Sequence, residues 1–288
     1  MSDEPNLNEP EDGADKPVIP SWLPGPLRKM LTLPNDHPRK TVGVAMTLCL
    51  VCSIVVAGAA VALRPIQDAN RAVDKKKNIL AVAGLMEPGV DINQAFSQFE
   101  VRAVDLAAGT FTDAVEAETY EQRSAAGDPA QSVDLESDDD IASIGRRAKI
   151  ATVYVLRDGE NIKQLILPVH GYGLWSTLYG FLSLEGDLET VAGLRFYEHA
   201  ETPGLGGEVD NPAWRAKWVG KKLYDEQSEL QLEVIKGVVI PSRTEAIHQV
   251  DGLAGATLTS RGVTNLIRFW LGEQGFAPFL GKLRDGKA

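Results

Sequence analysis

The run DGLAGATLTS, residues 251–260, gathers the side chains best placed to do chemistry. Three hydroxyls, Thr257, Thr259 and Ser260, follow Gly255 and Ala256. Glycine permits a positive φ or close backbone approach, and Ala256 leaves the space beside Thr257 clear. Val263, Leu266, Ile267, Trp270 and Leu271 then recur at helical spacing, which predicts a helix over 263–271 closed by Gly272 as a C′ residue. Thr259 or Ser260 reads as its N-cap. Thr257 would sit just ahead of that helix, where free N–H groups and the dipole favour an anion such as a phosphate. On the residues alone, a capped helix after a tight turn is the simpler reading.

Other groups carry weaker signals. Glu201-Thr202-Pro203-Gly204-Leu205-Gly206 is a tight loop with one carboxylate and one hydroxyl. Lys236 lies in LEVIKGVVI, a predicted strand whose alternation would project it opposite the flanking valine and isoleucine. Tyr172, Trp175 and Ser176 follow a β-rich run, and aromatics there are core residues more often than ligand partners. The four histidines, His37, His170, His199 and His248, are not spaced as a ligand pair, so no metal site is expected. Cys49 and Cys52 lie in an apolar run, where two small apolar residues are the simpler reading than a redox pair. The carboxylates between Asp134 and Asp140 read as a solvated loop rather than a cation site.

Several elements must position these groups. Residues 41–63 carry no charge for 23 residues, enough for one transmembrane helix. Ala57-Gly58-Ala59 resembles a signal cleavage site, but the apolar run is too long for a signal segment. Basic residues flank both ends, so local charge does not fix the orientation. Residues 1–40 are acidic and then proline-rich, and 64–149 lead from the helix into a soluble part. From residue 150 onward, Asp158-Gly159 marks a hairpin and further strands precede the last helix. This is α+β patterning, with a mostly antiparallel sheet. A net charge of −11 over 288 residues argues against a nucleic-acid partner.

The motif 251–257 resembles the flavinylation pattern D-G-x-(S/T)-G-A-T, departing from it at Ala254. The blocks HGYGLWSTLYGF (170–181), HAETPGLGGEV (199–209), VIKG (234–237) and GFAPFL (275–280), with the single membrane helix, resemble the C subunit of the Na+-translocating NADH:quinone reductases. The resemblance implies an FMN-binding domain over 150–288, with a twisted antiparallel sheet flanked by helices. It implies FMN joined to Thr257 by a phosphoester, installed by a flavin transferase. It further implies cofactor contacts from Glu201, Thr202, Leu205, Gly206, Lys236, Gly255, Ala256, Leu258 and Thr259, with Tyr172, Trp175 and Ser176 as lesser ones. The implied task is electron relay from an iron–sulfur centre to the flavin of the B subunit, coupled to sodium export. The partners are then the A, B, D, E and F subunits, and the place is the cell inner membrane with the soluble domain in the periplasm. The G subunit of Rnf complexes shares this flavin domain, but the insert around 90–150 and the GYGLWSTLYGF and GFAPFL blocks favour the quinone reductase. A membrane-anchored scaffold without cofactor is the reading from a different class.

Overall fold

The computed structural model describes residues 20–21, 24–34 and 37–288. Most of the acidic, proline-rich segment expected over 1–40 lies outside the described residues. The chain divides into two units, Met1–Ala69 and Asn70–Ala288.

In the first unit, a short helix α1 (Gly25–Leu31) precedes α2 (Pro38–Val82), which continues into the second unit. The predicted span lies inside α2, the one described helix long and apolar enough to cross a membrane. Its large apolar side chains, among them Leu48, Val51, Ile54 and Val55, are exposed, as are Cys49 and Cys52. Apolar residues exposed all around a helix suit lipid rather than water. The Thr47 hydroxyl donates to the Gly43 carbonyl at 2.8 Å, satisfying a polar group within the helix.

The second unit adds α3 (Ile92–Phe96), β1 (Phe99–Asp105), β2 (Thr110–Thr112), α4 (Gln122–Ala126), β3 (Ser132–Asp134) and β4 (Arg146–Ala148). Then come β5 (Ile150–Asp158), β6 (Asn161–Tyr172), β7 (Thr177–Glu185) and β8 (Val191–Glu198). After them follow α5 (Pro212–Arg215), β9 (Glu233–Val234), β10 (Gln249–Val250), α6 (Thr257–Leu271) and α7 (Ala277–Arg284). Six strands form one antiparallel sheet in the order β2-β1-β5-β6-β7-β8, so strands from both sides of residue 150 share it. The expected hairpin joins β5 to β6, with Gly159 at φ +62°.

Both faces of the sheet are covered, and the two-residue period of each strand sorts its side chains between them. Val153 and Val155 of β5 join Leu165, Leu167 and Val169 of β6 in a core with α6. Tyr154, Leu156 and Ile166 join Ile79, Leu80 and Val82 from the end of α2 in the other. The predicted helical face of Val263, Leu266, Ile267, Trp270 and Leu271 is buried. The Trp270 Nε1–H donates to the His170 carbonyl at 2.7 Å, fixing α6 on β6. His170 is partly buried with its ring stacked on Tyr179, and burial pushes its imidazole pKa down to about 4.

Three local expectations need correction. The last helix starts at Thr257, not beyond Ser260, so Thr259 and Ser260 lie inside its first turn and neither is the N-cap. Both hydroxyls are drawn into tertiary bonds instead. Gly272 ends the helix in extended geometry (φ −91°, ψ −173°), not as a left-handed C′ residue. The strand expected over LEVIKGVVI is two residues long, β9, paired in parallel with β10. Gly237 at φ +91° turns the chain away, and the Val239 N–H goes to the Asp251 carboxylate at 2.7 Å rather than to a ladder.

Candidate functional site

The site is built around the first turn of α6. Asp251 anchors the approach to it. Its carboxylate accepts from Val239 N–H and from the Lys217 ammonium, while its carbonyl accepts from Trp214 Nε1–H at 2.8 Å. Burial would raise the Asp251 carboxyl, but these two donors outweigh it and hold the group below its usual range. Gly252 must be glycine for packing, since a Cβ there would stand 2.4 Å from the Ile235 carbonyl oxygen. Gly255 has φ +72°, and a Cβ would come within 2.9 Å of Leu205 Cδ2. The Ser260 hydroxyl accepts the Leu253 N–H at 3.0 Å, closing the turn onto the helix. Thr257 then occupies the first helical position, exposed, and its hydroxyl bonds to no described residue.

Thr259 has the opposite surroundings. It is fully buried and donates to Glu201 Oε2 at 2.6 Å. Glu201 Oε1 accepts from the N–H groups of Leu174, Trp175 and Ser176 at 3.0, 2.9 and 3.4 Å. One buried carboxylate therefore ties the β6–β7 connection to α6. Burial alone would raise the Glu201 carboxyl, but the Thr259 hydroxyl and the three backbone donors outweigh it and lower it from 4.5. Gly206 completes the contact, because a Cβ there would meet Thr259 Oγ1 at 2.5 Å and Glu201 Oε2 at 2.7 Å. The Ser176 hydroxyl accepts the Ala200 N–H at 2.7 Å, joining the same two loops.

The first turn of α6 thus has two flanks. On one stand the β6–β7 connection and the 199–206 loop, where Tyr172, Trp175, Leu205 and Leu258 are exposed apolar side chains and Thr202 is exposed beside them. On the other is an open cavity of about 320 Å³, at the low end of the roughly 300–1,000 Å³ of small-molecule sites. Thr257, Ser260, Arg261, Thr264 and Arg268 of α6 line it, facing Lys236 and Gly237 across the gap. Thr264 holds that facing segment in place by accepting the Val234 N–H at 2.9 Å.

The structure brings Thr257 and Lys236 to one cavity, and gathers Glu201, Gly206, Thr259, Trp175 and Ser176 behind the same helix turn. Ala256 is buried and Leu258 is exposed. Glu201 and Thr259 are not in the cavity wall; they brace the helix start. Two further wall residues, Arg261 and Arg268, are not singled out by the sequence motifs. Their signal is their spacing: Thr257, Arg261, Thr264 and Arg268 fall at i, i+4, i+7 and i+11, a polar stripe on one face.

Residues 173–272, which hold Glu201, Thr257 and the residues lining the cavity, match the family described as FMN-binding domain. The chain is 57% identical over 258 residues to the C subunit of the Na(+)-translocating NADH-quinone reductase of Pseudomonas aeruginosa, covering 88% of this chain and 99% of that protein. The chain belongs to the C-subunit family of Na+-translocating NADH-quinone reductases. The Vibrio vulnificus C subunit is 52% identical over 253 residues, covering 88% of this chain and 98% of that one. The crystal structure of Shewanella oneidensis NqrC superposes with a TM-score of 0.70 at 32% identity, covering 75% of this chain and 99% of that one. The corresponding protein from Parabacteroides distasonis gives 0.54 at 25% identity, covering 77% and 96%. These relatives favour the quinone reductase over the Rnf alternative. The expected fold is borne out: one long apolar helix, then a mostly antiparallel sheet with helices. As a member of that family, the chain is part of an oxidoreductase complex and carries its FMN-binding domain.

Proposed function

We propose that this chain is the electron-carrying subunit of its complex, with FMN joined to Thr257 by a phosphoester. The single observation that carries the reading is the state of that hydroxyl. Among the three hydroxyls of the run 251–260, that of Thr257 alone combines exposure, a helix N-terminus and no hydrogen-bond partner among the described residues, and it opens on a cavity with cationic walls. The residues fit the group. An esterified phosphate there would meet the free N–H groups of the first turn, Lys236 and Arg261. The exposed apolar side chains of Leu205, Leu258, Trp175 and Tyr172 offer faces on which a flavin ring could rest.

When bound, FMN supplies the one- and two-electron chemistry that the protein's side chains lack. The chain's residues do the rest. Asp251 and Gly252 fix the turn that presents Thr257. Glu201 and Thr259 lock the helix start against the sheet, so the attachment point does not wander. Gly255 and Ala256 leave room for a transferase to reach the hydroxyl, and Ala254, lacking the usual hydroxyl, leaves the acceptor itself intact. In this reading electrons arrive from an iron–sulfur centre and leave to the flavin of the B subunit, in step with sodium export elsewhere in the complex. The helix within 41–63 anchors the domain to the cell inner membrane on its periplasmic side, among subunits of the A, B, D, E and F type.

The test is co-expression with a flavin transferase, followed by a denaturing gel under ultraviolet light. Wild type should fluoresce and Thr257→Ala should not. A fluorescent Thr257→Ala band would remove the reading.

A further inference from the structure

We propose that Arg261 is the counter-ion of the Thr257 phosphoester, and through it a positioning residue for the flavin; this role rests on the attachment of FMN at Thr257. Arg261 stands four residues beyond Thr257, about one turn along α6, and both line the same cavity. It is exposed, so it serves no core, and its guanidinium makes no hydrogen bond or ion pair with any described residue. The neighbouring Arg268 is different: it donates to Glu233 at 2.8 Å and is already balanced. Lys236, across the cavity, is unpaired among the described residues, like Arg261.

The cavity therefore holds three cations, only one of them matched by an acid among the described residues, in a chain whose net charge is −11. Unmatched cations that face one space repel one another until an anion sits between them. A phosphodiester at Thr257 carries one negative charge and two free oxygens, the geometry a guanidinium fork can grip at two points. Lys236 offers a point charge and no fork, so its part is to add to the field rather than to set direction. With its phosphate both esterified to Thr257 and gripped by Arg261, the flavin would have less freedom to swing about the Thr257 side chain.

The experiment uses full-length protein flavinylated by the transferase, as wild type, Arg261→Ala and Arg261→Lys. Peptide masses establish where FMN sits, circular dichroism establishes folding, and two signals are read: the phosphorus-31 resonance of the ester and the fluorescence anisotropy of the flavin. In Arg261→Ala the resonance should move and the anisotropy should fall, with Arg261→Lys lying between the variant and wild type. A folded Arg261→Ala chain that takes up flavin about tenfold more slowly, with Arg261→Lys recovering part of that loss, also supports the proposal, since about one charge-assisted hydrogen bond has been lost. Both signals unchanged with FMN on Thr257 would overturn this proposal alone, as would an uptake defect that Arg261→Lys does not relieve. Absence of FMN from Thr257 in wild type would overturn the attachment reading and this proposal with it.

Discussion

Thr257 and Thr259 are the same residue two positions apart on one helix turn, and their surroundings differ as much as two side chains can. Two residues on an α-helix are ~200° apart in rotation, so one threonine faces the open side and the other faces the sheet. Thr257 is exposed with an unengaged hydroxyl; Thr259 is 0% exposed and bonded to a buried carboxylate. The contrast teaches that the run 251–260 offers one open hydroxyl at Thr257 and a structural one at Thr259. Its second hydroxyl is spent on holding the first in place.

The largest effect expected from breaking this contrast is all-or-none. Thr257→Ala should abolish covalent flavin while leaving the thermal midpoint close to wild type, because an exposed side chain with no partner is removed. Gel fluorescence and a melting curve check both halves.

Glu201→Ala comes next. It leaves three backbone N–H groups and the Thr259 hydroxyl without their acceptor and should cost about 3 kcal/mol in denaturant unfolding. The same carboxylate sets a pH dependence. Its folded pKa lies below the ordinary 4.5, so its contribution is complete above that value and is lost as pH falls through the depressed folded value. In Glu201→Gln the part of the acid-side decline below about pH 4.5 that Glu201 causes should vanish; an unchanged profile would remove Glu201 as its source.

Gly206→Ala should cost about 1–3 kcal/mol, as an overpacked core contact does, since the added methyl meets both partners of the Thr259–Glu201 bond. The smallest effect belongs to Thr259→Ala: a loss of about 1–2 kcal/mol, with covalent flavin retained. Loss of flavin in a folded Thr259→Ala chain would mean that the two roles are not separate.

Much of this was legible in the sequence, for physical reasons that differ by element. The membrane helix shows as an unbroken apolar run, the β5–β6 hairpin as Asp158-Gly159, and the buried face of α6 as its 3.6-residue period. The start of α6 was not legible. Local capping rules assign the Thr259 and Ser260 hydroxyls to the helix end, but Glu201, 58 residues away, and the Leu253 N–H take them. The strand predicted around Lys236 failed similarly: β-branched residues suggest a ladder, while Asp251 and Gly237 divert the backbone. Glu201 stands in the sequence as the one carboxylate of a tight loop, and the family resemblance implies that it contacts cofactor. Its buried bracing role depends on the β6–β7 connection arriving beside it, which no local pattern encodes. Arg261 lies ahead of the helix predicted over 263–271, and a charge on an exposed face looks like ordinary solvation until the opposite wall of the cavity is seen.

The most direct test of the division between the two threonines is to digest the flavinylated full-length protein and map the FMN mass by fragmentation across residues 251–261. The account predicts the added mass on Thr257 and an unmodified Thr259 in every flavin-bearing peptide. FMN on Thr259, or on Ser260, would contradict it, because the buried hydroxyl would then be the reactive one.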